Sequence, residues 1–142
     1  MDARAILKRK GSGAVTIADD ELVATGGNVL SRENIGALVV EHNGELVGIL
    51  DERDIIRHLA TEGSATLSQT VRDVMKKTVV TCTPDEEAKD MMATMTRRRI
   101  RHLPIVEDGV LQGIVSIGDL LKTRLEEMET ERSVLRERLL AK

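Results

Sequence analysis

Residues 109–122 read GVLQGIVSIGDLLK, and residues 44–57 read GELVGILDERDIIR. In both stretches a turn glycine precedes an aliphatic run typical of a strand, and an acidic residue follows where a helix is predicted to start. The two stretches begin 65 positions apart. The sequence therefore predicts one strand–helix unit that occurs twice, with an acidic hinge between the strand and the helix of each copy.

The duplication extends well beyond these two stretches. With the same offset of 65 and without a gap, identical residues recur along both halves of the chain. They include Val15 and Val80, Asp20 and Asp85, Arg32 and Arg97, Ile35 and Ile100, Leu38 and Leu103, and Gly48 and Gly113. A period maintained over such a length indicates a tandem duplication.

The composition is that of a small domain without aromatic side chains. Of the 142 residues, 41% are apolar, none is Phe, Tyr or Trp, and the formal net charge is −3. We therefore expect a core of Val, Ile, Leu, Met and Ala. The missing aromatic faces argue against a platform that stacks single-stranded nucleic acid, and the mixed charges argue against a nucleic-acid binder overall.

Cysteine usage and hydropathy exclude several further classes. Cys82 is the single cysteine, so there is no internal disulfide, and no Cys/His cluster suggests a metal site. The first residues lack the apolar run of a signal peptide, and no apolar stretch of about 18 residues occurs. We expect a cytoplasmic protein that has no membrane partner.

Each copy is predicted to contain two helices and three short strands. Entry strands are expected at residues 15–17 and 79–82, and a capping box from Thr83 to Glu86, with Pro84 inside it, predicts the start of the next helix. The corresponding helix of the first copy contains two adjacent glycines at 26–27, each costing about 1 kcal/mol against alanine. That helix is expected to be short or broken.

Tight hairpins and a long final helix complete the pattern. The pairs Asn43-Gly44 and Asp108-Gly109 favour two-residue hairpin turns. Beyond the second hinge, apolar residues recur at three- and four-residue spacing, with Arg132 at the intervening position; they are Leu125, Met128, Leu135 and Leu139. This amphipathic tail is predicted either to pack on its own domain or to pair with another subunit.

The stretches ENIGALVVEHNGELVGILDERDIIRHL and MTRRRIRHLPIVEDGVLQGIVSIGDLLK, residues 33–59 and 95–122, resemble the CBS (cystathionine β-synthase) domain pair, also called a Bateman module. The chain looks most like the small stand-alone bacterial members. The resemblance implies an α+β fold of tandem β-α-β-β-α repeats packed around a pseudo-two-fold axis. The first repeat would span residues 5–63, the second 71–125, and the C-terminal amphipathic helix 126–142.

The resemblance also implies a regulatory function. Such modules bind adenosine-containing molecules, namely AMP, ADP, ATP, NAD(H) or S-adenosylmethionine, in clefts between the repeats, and they transmit binding through the geometry of a homodimer. No cofactor is required, and the adenine nucleotide is the regulatory ligand. An unidentified protein target would respond to the bound state.

In the cleft served by the second hinge, the resemblance assigns specific contacts. Asp119 would accept hydrogen bonds from the ribose hydroxyls and Ser116 would donate to a phosphate, close to a helix N-terminus that favours anions. Arg101 and His102 stand at family positions that point into the clefts and reach phosphates. Lys8, Arg9 and Lys10, just before the first entry strand, either add charge to the same cleft as Asp119 or form a solvated arm, which is the slightly favoured interpretation. A plain helix cap remains the alternative interpretation of Asp119.

The first hinge departs from the family pattern. Asp51 stands where the family usually has Ser or Thr, and a carboxylate beside a phosphate is repulsive. Arg53 is a candidate to compensate, or Asp51 caps the helix instead. The cleft that holds Asp54 is therefore predicted to be empty or to take a nucleoside without phosphate, and the two clefts are predicted to be unequal.

Adenine needs an apolar slot, which must be aliphatic in this chain. The resemblance assigns three consecutive residues to each cleft: Ile35, Gly36 and Ala37 to the one served by Asp119, and Ile100, Arg101 and His102 to the other. An ordinary position in the core or at its rim is an equally good interpretation of all six.

The remaining polar residues suggest no catalysis. His42 and His58 are predicted to be isolated surface residues, and Cys82 a small buried apolar one. No arrangement of nucleophile, base or paired carboxylates is found, so we expect the protein not to be an enzyme. The main alternative is a ligand-free structural or oligomerisation module acting through its helices and tail. Nucleic-acid binding through residues 97–101 is the least supported interpretation.

Overall fold

The computed structural model describes residues 1–11 and 13–141. Within these residues the chain forms six α-helices, one 3₁₀ helix and five β-strands. The predicted α+β class and long C-terminal helix are confirmed. In chain order the elements are α1 (Ala3–Lys10), β1 (Thr16–Ala18), α2 (Val23–Glu33), β2 (Ala37–His42), β3 (Glu45–Asp51), α3 (Glu52–Glu62), the 3₁₀ helix (Gly63–Ser68), α4 (Val71–Val74), α5 (Ala88–Arg98), β4 (His102–Glu107), β5 (Val110–Ser116) and α6 (Ile117–Leu140).

These elements form two compact units. The first unit comprises residues 14–80, and the second comprises residues 1–13 together with 81–142. Each unit therefore combines the body of one sequence copy with the segment that precedes the body of the other copy. The predicted repeat boundaries describe the sequence period and remain a prediction.

The first unit is built on a three-stranded sheet in the order β1-β2-β3. β1 runs parallel to β2, and β2 runs antiparallel to β3. At the turn between β2 and β3, Asn43 and Gly44 adopt positive φ angles of 50° and 80°. A two-residue hairpin turn of this type requires positive φ at both positions, which Asn and Gly accept at low cost. The predicted hairpin is confirmed.

The prediction that the first helix is short or broken is wrong. α2 runs unbroken over 11 residues, as many as α5 in the second unit. A Cβ atom at Gly26 would lie 2.7 Å from Leu50 Cδ2, so glycine lets α2 approach the sheet closely. Packing of α2 through Val23 and Leu30 onto this aliphatic core offsets the low helix propensity of the glycines.

The second unit contains the hairpin of β4 and β5, which are antiparallel. Its turn repeats the first one, with φ angles of 51° at Asp108 and 77° at Gly109. The strand predicted at residues 79–82 is wrong. Only Cys82 pairs with β4, through an isolated bridge to Ile105, because it alone in that stretch exchanges backbone hydrogen bonds with the strand.

The predicted start of α5 at residues 83–86 is also wrong. α5 begins at Ala88, five residues after the proposed cap. The carbonyl groups of Pro84 and Glu86 accept hydrogen bonds of 2.9 Å from the first two backbone amides of α1. First-turn amides have no acceptor within their own helix. The segment before α5 supplies those acceptors to α1 and therefore stays outside the helix.

The long helix α6 is buried only near its start. Leu120 and Thr123 are buried, whereas every described residue from Met128 onward is exposed. The predicted apolar residues of the tail are among the exposed ones: Leu125, Met128, Leu135 and Leu139. Packing of this stripe on the helix's own domain is thus not found, and pairing with another subunit remains a prediction.

Candidate functional site

The second-unit hinge is a capping box at the start of α6. Ser116 is the N-cap, and its Oγ accepts a hydrogen bond of 3.1 Å from the Asp119 N–H. In return, the Ser116 N–H donates to Asp119 Oδ2 at 2.9 Å. This reciprocal pair satisfies two otherwise unpaired amides of the first turn. Asp119 therefore takes part in a helix cap, which fixes the orientation of its carboxylate, and its contact with a ribose stays a prediction.

Lys10 contacts this carboxylate directly. Its Nζ donates to Asp119 Oδ2 at 2.7 Å and to the carbonyl of Ile114 at 2.9 Å. Partial burial alone would raise the pKa of Asp119, but the hydrogen bonds from Lys10 and from the Ser116 N–H outweigh it and hold that pKa below its usual value. Asp119 is therefore a carboxylate, and an acceptor only, at neutral pH.

A cavity opens beside this ion pair within the second unit. Its volume is about 250 Å³, and its lining is strongly charged. The lining residues are Ile6, Arg9, Lys10, Asp119, Lys122, Thr123 and Glu126. Three of these seven are cations and two are carboxylates; because Arg9 pairs with Glu126 and Lys10 with Asp119, Lys122 is the lining cation that forms no ion pair with a described residue.

The residues predicted to contact phosphate lie next to Ser116. His102 is the register partner of Ser116 in the β4–β5 pair, and the carbonyl of Arg101 accepts a 2.8 Å hydrogen bond from the Ile117 N–H. Ile100 precedes them and donates its N–H to the carbonyl of Met95. The second unit thus brings together six of the predicted residues: Ser116, Asp119, Lys10, Ile100, Arg101 and His102.

The first-unit hinge has a similar backbone arrangement with different chemistry. Asp51 is the N-cap of α3 and accepts a 2.9 Å hydrogen bond from the Asp54 N–H, so a carboxylate replaces the hydroxyl of Ser116. Lys76 Nζ lies 3.0 Å from Asp51 Oδ2 and 3.5 Å from Asp54 Oδ2. Arg57 pairs with the other Asp54 oxygen at 3.2 Å. One lysine therefore serves two adjacent carboxylates.

The pKa values of the two carboxyl groups of the first hinge are shifted in opposite directions. Burial raises the pKa of Asp54, and the negative charge of Asp51 raises it further, more than Lys76 and Arg57 lower it. Burial also acts to raise the pKa of Asp51, but the Asp54 N–H and Lys76 outweigh it, so that pKa is lowered. Asp54, which is 8% exposed, has an Oδ2 atom that accepts no hydrogen bond from any described residue.

The predicted adenine residues of the first unit lie beside this hinge. Ala37 is the register partner of Asp51, and the carbonyl of Gly36 accepts a 3.0 Å hydrogen bond from the Glu52 N–H. Ile35 lines a separate cavity of about 350 Å³. The first unit thus contains the other five predicted residues: Ile35, Gly36, Ala37, Asp54 and Arg53.

The cation beside Asp51 is not the predicted one. Arg53 is exposed in the first turn of α3 and forms no ion pair within residues 1–11 and 13–141, whereas Lys76 pairs with Asp51. Sequence reasoning missed Lys76. A signal was present, because Lys10 precedes the body of the first copy and the pair Lys76-Lys77 precedes the body of the second.

The remaining predicted residues have clear environments. Cys82 is buried, and desolvation together with a hydrogen bond to Glu86 raises the pKa of its thiol to about 12, as expected for an inert cysteine. The description of His42 as isolated is wrong: its Nδ1 lies 3.0 Å from Asp19 Oδ1. His58 is also not isolated, since its Nδ1 lies 3.7 Å from a carboxylate oxygen of Glu62.

Neither a metal-binding cluster nor a membrane-spanning helix is found among the described residues. Residues 1–11 and 13–141 contain no cluster of three or more His, Cys, Asp or Glu side chains able to hold a metal ion. None of the helices in this part of the chain combines the length and the apolar character needed to cross a bilayer.

Comparison with known proteins identifies a family. The CBS domain family model matches residues 3–61 and 71–126. The CBS domain-containing protein CBSX3, mitochondrial, from Arabidopsis thaliana is 34% identical over 135 residues, which are 89% of this chain and 66% of that protein. This chain therefore spans about two thirds of that relative's length.

Solved structures share the fold. The CBS-domain protein ATU1752 from Agrobacterium tumefaciens matches with a TM-score of 0.85 and 38% identity, over 87% of this chain and 99% of that chain. The CBS domain pair of protein MJ0100, crystallised in complex with 5′-methylthioadenosine and S-adenosyl-L-methionine, matches with a TM-score of 0.79 over 89% of this chain and 98% of that chain. At 24% identity, the second match concerns the fold alone.

Proposed function

The chain belongs to the CBS domain family, and from that premise we propose that it is a regulatory module that senses an adenosine-containing nucleotide. The ligand binds at the hinge of Ser116 and Asp119 and changes the geometry of a homodimer or the affinity for a protein target. The observation that carries the proposal is the ionised, oriented carboxylate of Asp119 at a helix N-terminus with Lys10 beside it.

The chemistry of this hinge suits a ribose phosphate. A vicinal diol offers two hydroxyl donors, and the carboxylate of Asp119 is an acceptor with capacity beyond the bonds from Lys10 and Ser116. The helix N-terminus and the nearby cations Lys10 and Lys122 favour an anion. Ribose and phosphate recognition would therefore lie within one helical turn of each other.

The hinge of Asp51 and Asp54 is proposed to be selective against phosphate. Lys76 is shared between two carboxylates, so little positive charge remains there to attract an anion. Asp54 Oδ2 accepts no hydrogen bond from the described residues and so has unused acceptor capacity, but it is buried beside Lys76, so a ribose hydroxyl reaches it only after a local rearrangement. A nucleoside without phosphate is the ligand class that fits, and the two clefts are proposed to bind unequally.

A ligand screen tests the proposal. AMP, ADP, ATP, NAD(H), S-adenosylmethionine and 5′-methylthioadenosine are titrated by calorimetry and by thermal shift. The last two compounds are included because a protein of the same fold was crystallised with them. When its free concentration is 100 times its dissociation constant, a ligand that binds only the native state stabilises that state by about 2.7 kcal/mol.

Two alanine variants separate site binding from general effects. Asp119→Ala is expected to weaken binding of the phosphate-bearing ligand at least tenfold, because it removes the ribose acceptor. Asp85→Ala removes an exposed carboxylate of the same unit that pairs with Arg4, and it is expected to leave affinity unchanged. Absence of binding by all six compounds, or equal affinity of wild type and Asp119→Ala, would contradict the proposal.

A ligand-free oligomerisation module is the second candidate function. It is favoured by the fact that both hinges already satisfy their acids with lysines, Lys10 and Lys76, and by the exposed tail of α6. A chain truncated after Lys122 discriminates between the two candidates. A sensor keeps its nucleotide affinity, whereas an oligomerisation module loses its assembly state and binds no nucleotide before or after truncation.

Regulation requires that the nucleotide distinguish two states. A ligand shifts an equilibrium only by its differential affinity, and couplings of about 1–3 kcal/mol are typical. We place this function in the cytoplasm and assign no catalytic step to the chain. The corresponding measurement is the dimer dissociation constant with and without the ligand found in the screen, for which a 5- to 150-fold change corresponds to that coupling.

A further inference from the structure

The exposed tail of α6 carries a regular apolar seam. Positions a and d of a heptad are occupied in order by Leu121, Leu125, Met128, Arg132, Leu135 and Leu139, which we call the C-terminal seam. Its outer apolar members are largely solvent-exposed, with fractions of 61% for Leu125, 56% for Met128, 60% for Leu135 and 66% for Leu139. Five apolar residues on one stripe expose an area that a second helix is expected to cover.

The seam does not coincide with the face of α6 that packs in its own unit. On that packed face Leu120 and Thr123 are buried, and Glu126 pairs with Arg9 of α1. None of these three α6 positions belongs to the a and d series. From Met128 to the end of α6 all described residues are exposed. An isolated helix of about 12–15 residues is marginal in water, so this segment needs a partner to remain stably helical.

Charges beside the seam favour a parallel partner. In a parallel two-stranded coiled coil, each g residue faces the e residue five positions later on the other helix. That rule pairs Glu131 with Arg136 and Arg124 with Glu129, so both contacts join opposite charges. Within the described residues Glu131 and Arg136 form no ion pair, whereas Arg124 already contacts Glu127. The Glu131–Arg136 contact can therefore form between two protomers without breaking an ion pair within either of them.

An antiparallel partner that covers the whole seam would meet like charges. In that orientation g faces g and e faces e across the two-fold axis. Glu131 would then face its own copy, Glu129 would face its own copy, and Arg124 would face Arg138. Like charges at such positions oppose antiparallel pairing. The parallel pair has one like-charge layer, Arg132 against its own copy, but its flanking contacts join opposite charges, so the flanking charges favour the parallel orientation.

We infer that the C-terminal seam forms a parallel, in-register two-stranded coiled coil with the α6 tail of a second copy of this chain. Arg132 then lies in a central a layer, where its guanidinium extends outward towards the partner's Glu131. A single charged a residue lowers stability but specifies register. From Leu121 to Leu139 the seam is less than three heptads long, so the globular units must contribute the remaining contacts of the dimer.

Disulfide crosslinking of the full chain tests orientation and register. In a parallel, in-register pair, each d residue faces its own copy, so Leu135→Cys is expected to crosslink into a covalent dimer on mild oxidation. Glu137→Cys places a thiol two residues away on the outer face of the same helix and is expected to remain monomeric on a denaturing gel. The wild type is the background control, because Cys82 is buried.

Charge reversal provides a second, independent measurement. Arg136→Glu places one glutamate against the partner's Glu131 in each of the two symmetry-related contacts, and a dimer dissociation constant about tenfold higher is expected by analytical ultracentrifugation. Glu137→Arg reverses a charge at an outer position of the same helix that faces no residue of the partner helix in the parallel pair, and it should leave that constant unchanged. Both positions are exposed, so neither variant is expected to affect folding.

Three outcomes would overturn the inference. The first is a full-length wild-type chain that sediments as a monomer at high micromolar concentration. The second is crosslinking of Glu137→Cys as efficient as that of Leu135→Cys. The third is a tighter dimer for Arg136→Glu, which is expected of an antiparallel pair, where Arg136 faces Lys122. Agreement of crosslinking and sedimentation with the stated results supports the parallel pair.

Discussion

The two hinge acids should respond with opposite signs to the same chemical change. Asp119→Asn and Asp54→Asn each remove one carboxylate from the third position of a closing helix and keep the side-chain shape. The pKa of Asp119 lies below its usual value, whereas that of Asp54 lies above it. The folded state therefore favours the charged form of Asp119 and disfavours the charged form of Asp54.

At neutral pH, Asp119→Asn is expected to destabilise the fold by about 1 kcal/mol. It removes a partly exposed ion pair to Lys10, worth about 0.2–1 kcal/mol, and the interaction of a charge with the N-terminus of α6, worth about 0.3–1 kcal/mol. For a chain of 142 residues such a loss corresponds to a fall of about 4 °C in the melting temperature.

Asp54→Asn is expected to stabilise the fold by about 1 kcal/mol at neutral pH. It removes a buried charge that faces the negative Asp51, while an amide oxygen can still accept the hydrogen bond from Arg57. Replacement of a buried ionic group by a neutral one of similar shape is often neutral or stabilising by about 1–4 kcal/mol. Lys76 then forms an ion pair with one carboxylate, that of Asp51, instead of two.

Urea unfolding between pH 7 and pH 3 is the assay. The stability contributed by Asp119 is present above its unfolded pKa of about 3.9, and it is lost as pH falls through its lowered folded pKa. The penalty from Asp54 is present above its raised folded pKa and disappears as pH falls towards about 3.9. Both variants should therefore approach the wild-type free energy of unfolding at the acidic end of the range, from opposite sides.

Equal destabilisation of the chain by both variants at pH 7 would contradict the opposite pKa shifts of Asp119 and Asp54. A stability difference between Asp54→Asn and wild type that stays the same from pH 7 to pH 3 would contradict the raised pKa of Asp54. Asp85→Asn is the matched control, because that carboxylate is exposed and its effect is expected to stay within about 0.5 kcal/mol.

Three further predictions concern packing, reactivity and a surface network. Gly26→Ala is expected to cost about 1–3 kcal/mol, because its Cβ would overlap Leu50 Cδ2, whereas Gly27→Ala meets open space and should stabilise by up to about 1 kcal/mol; thermal melts of the two variants decide. Cys82, with a pKa of about 12, should react with a thiol reagent only after unfolding, and reaction at the rate of free cysteine would contradict its burial. The guanidinium of Arg72 and the ring of His42 hold the pKa of Asp19 at about 2. Arg72→Met should therefore raise the titration midpoint of that carboxyl, as measured by NMR. An unchanged midpoint would show that the ion pair does not form in solution.

Local features of the fold were predictable because nearby residues determine them. The duplication required only the constant offset, and both hairpin turns followed from Asn-Gly and Asp-Gly pairs, whose backbones accept positive φ. The closing helices were predicted to begin near Asp54 and Asp119, and they begin two residues earlier in each copy, at Glu52 and Ile117. These signals act over a few residues and do not depend on where the rest of the chain lies.

The errors occurred where a tertiary contact overrides local preference. Gly26 weakens α2 locally, yet the close approach to Leu50 makes glycine the residue that fits. The capping pattern at residues 83–86 is a sound local signal, but the carbonyls of that segment are used by the amides of α1. Neither contact is visible in a sequence window, because the partners are distant along the chain.

Sequence alone is enough to establish that two copies of one strand–helix unit exist and that each has an acid at its hinge, with Ser116 in one and Asp51 in the other. What each acid contacts depends on how the chain folds. Lys10 reaches Asp119 across 109 positions of sequence and Lys76 reaches Asp51 across 25. The pKa of a carboxyl group depends on burial and on charges within a few ångströms, so the opposite shifts of Asp119 and Asp54 follow from folding and not from the motif they share.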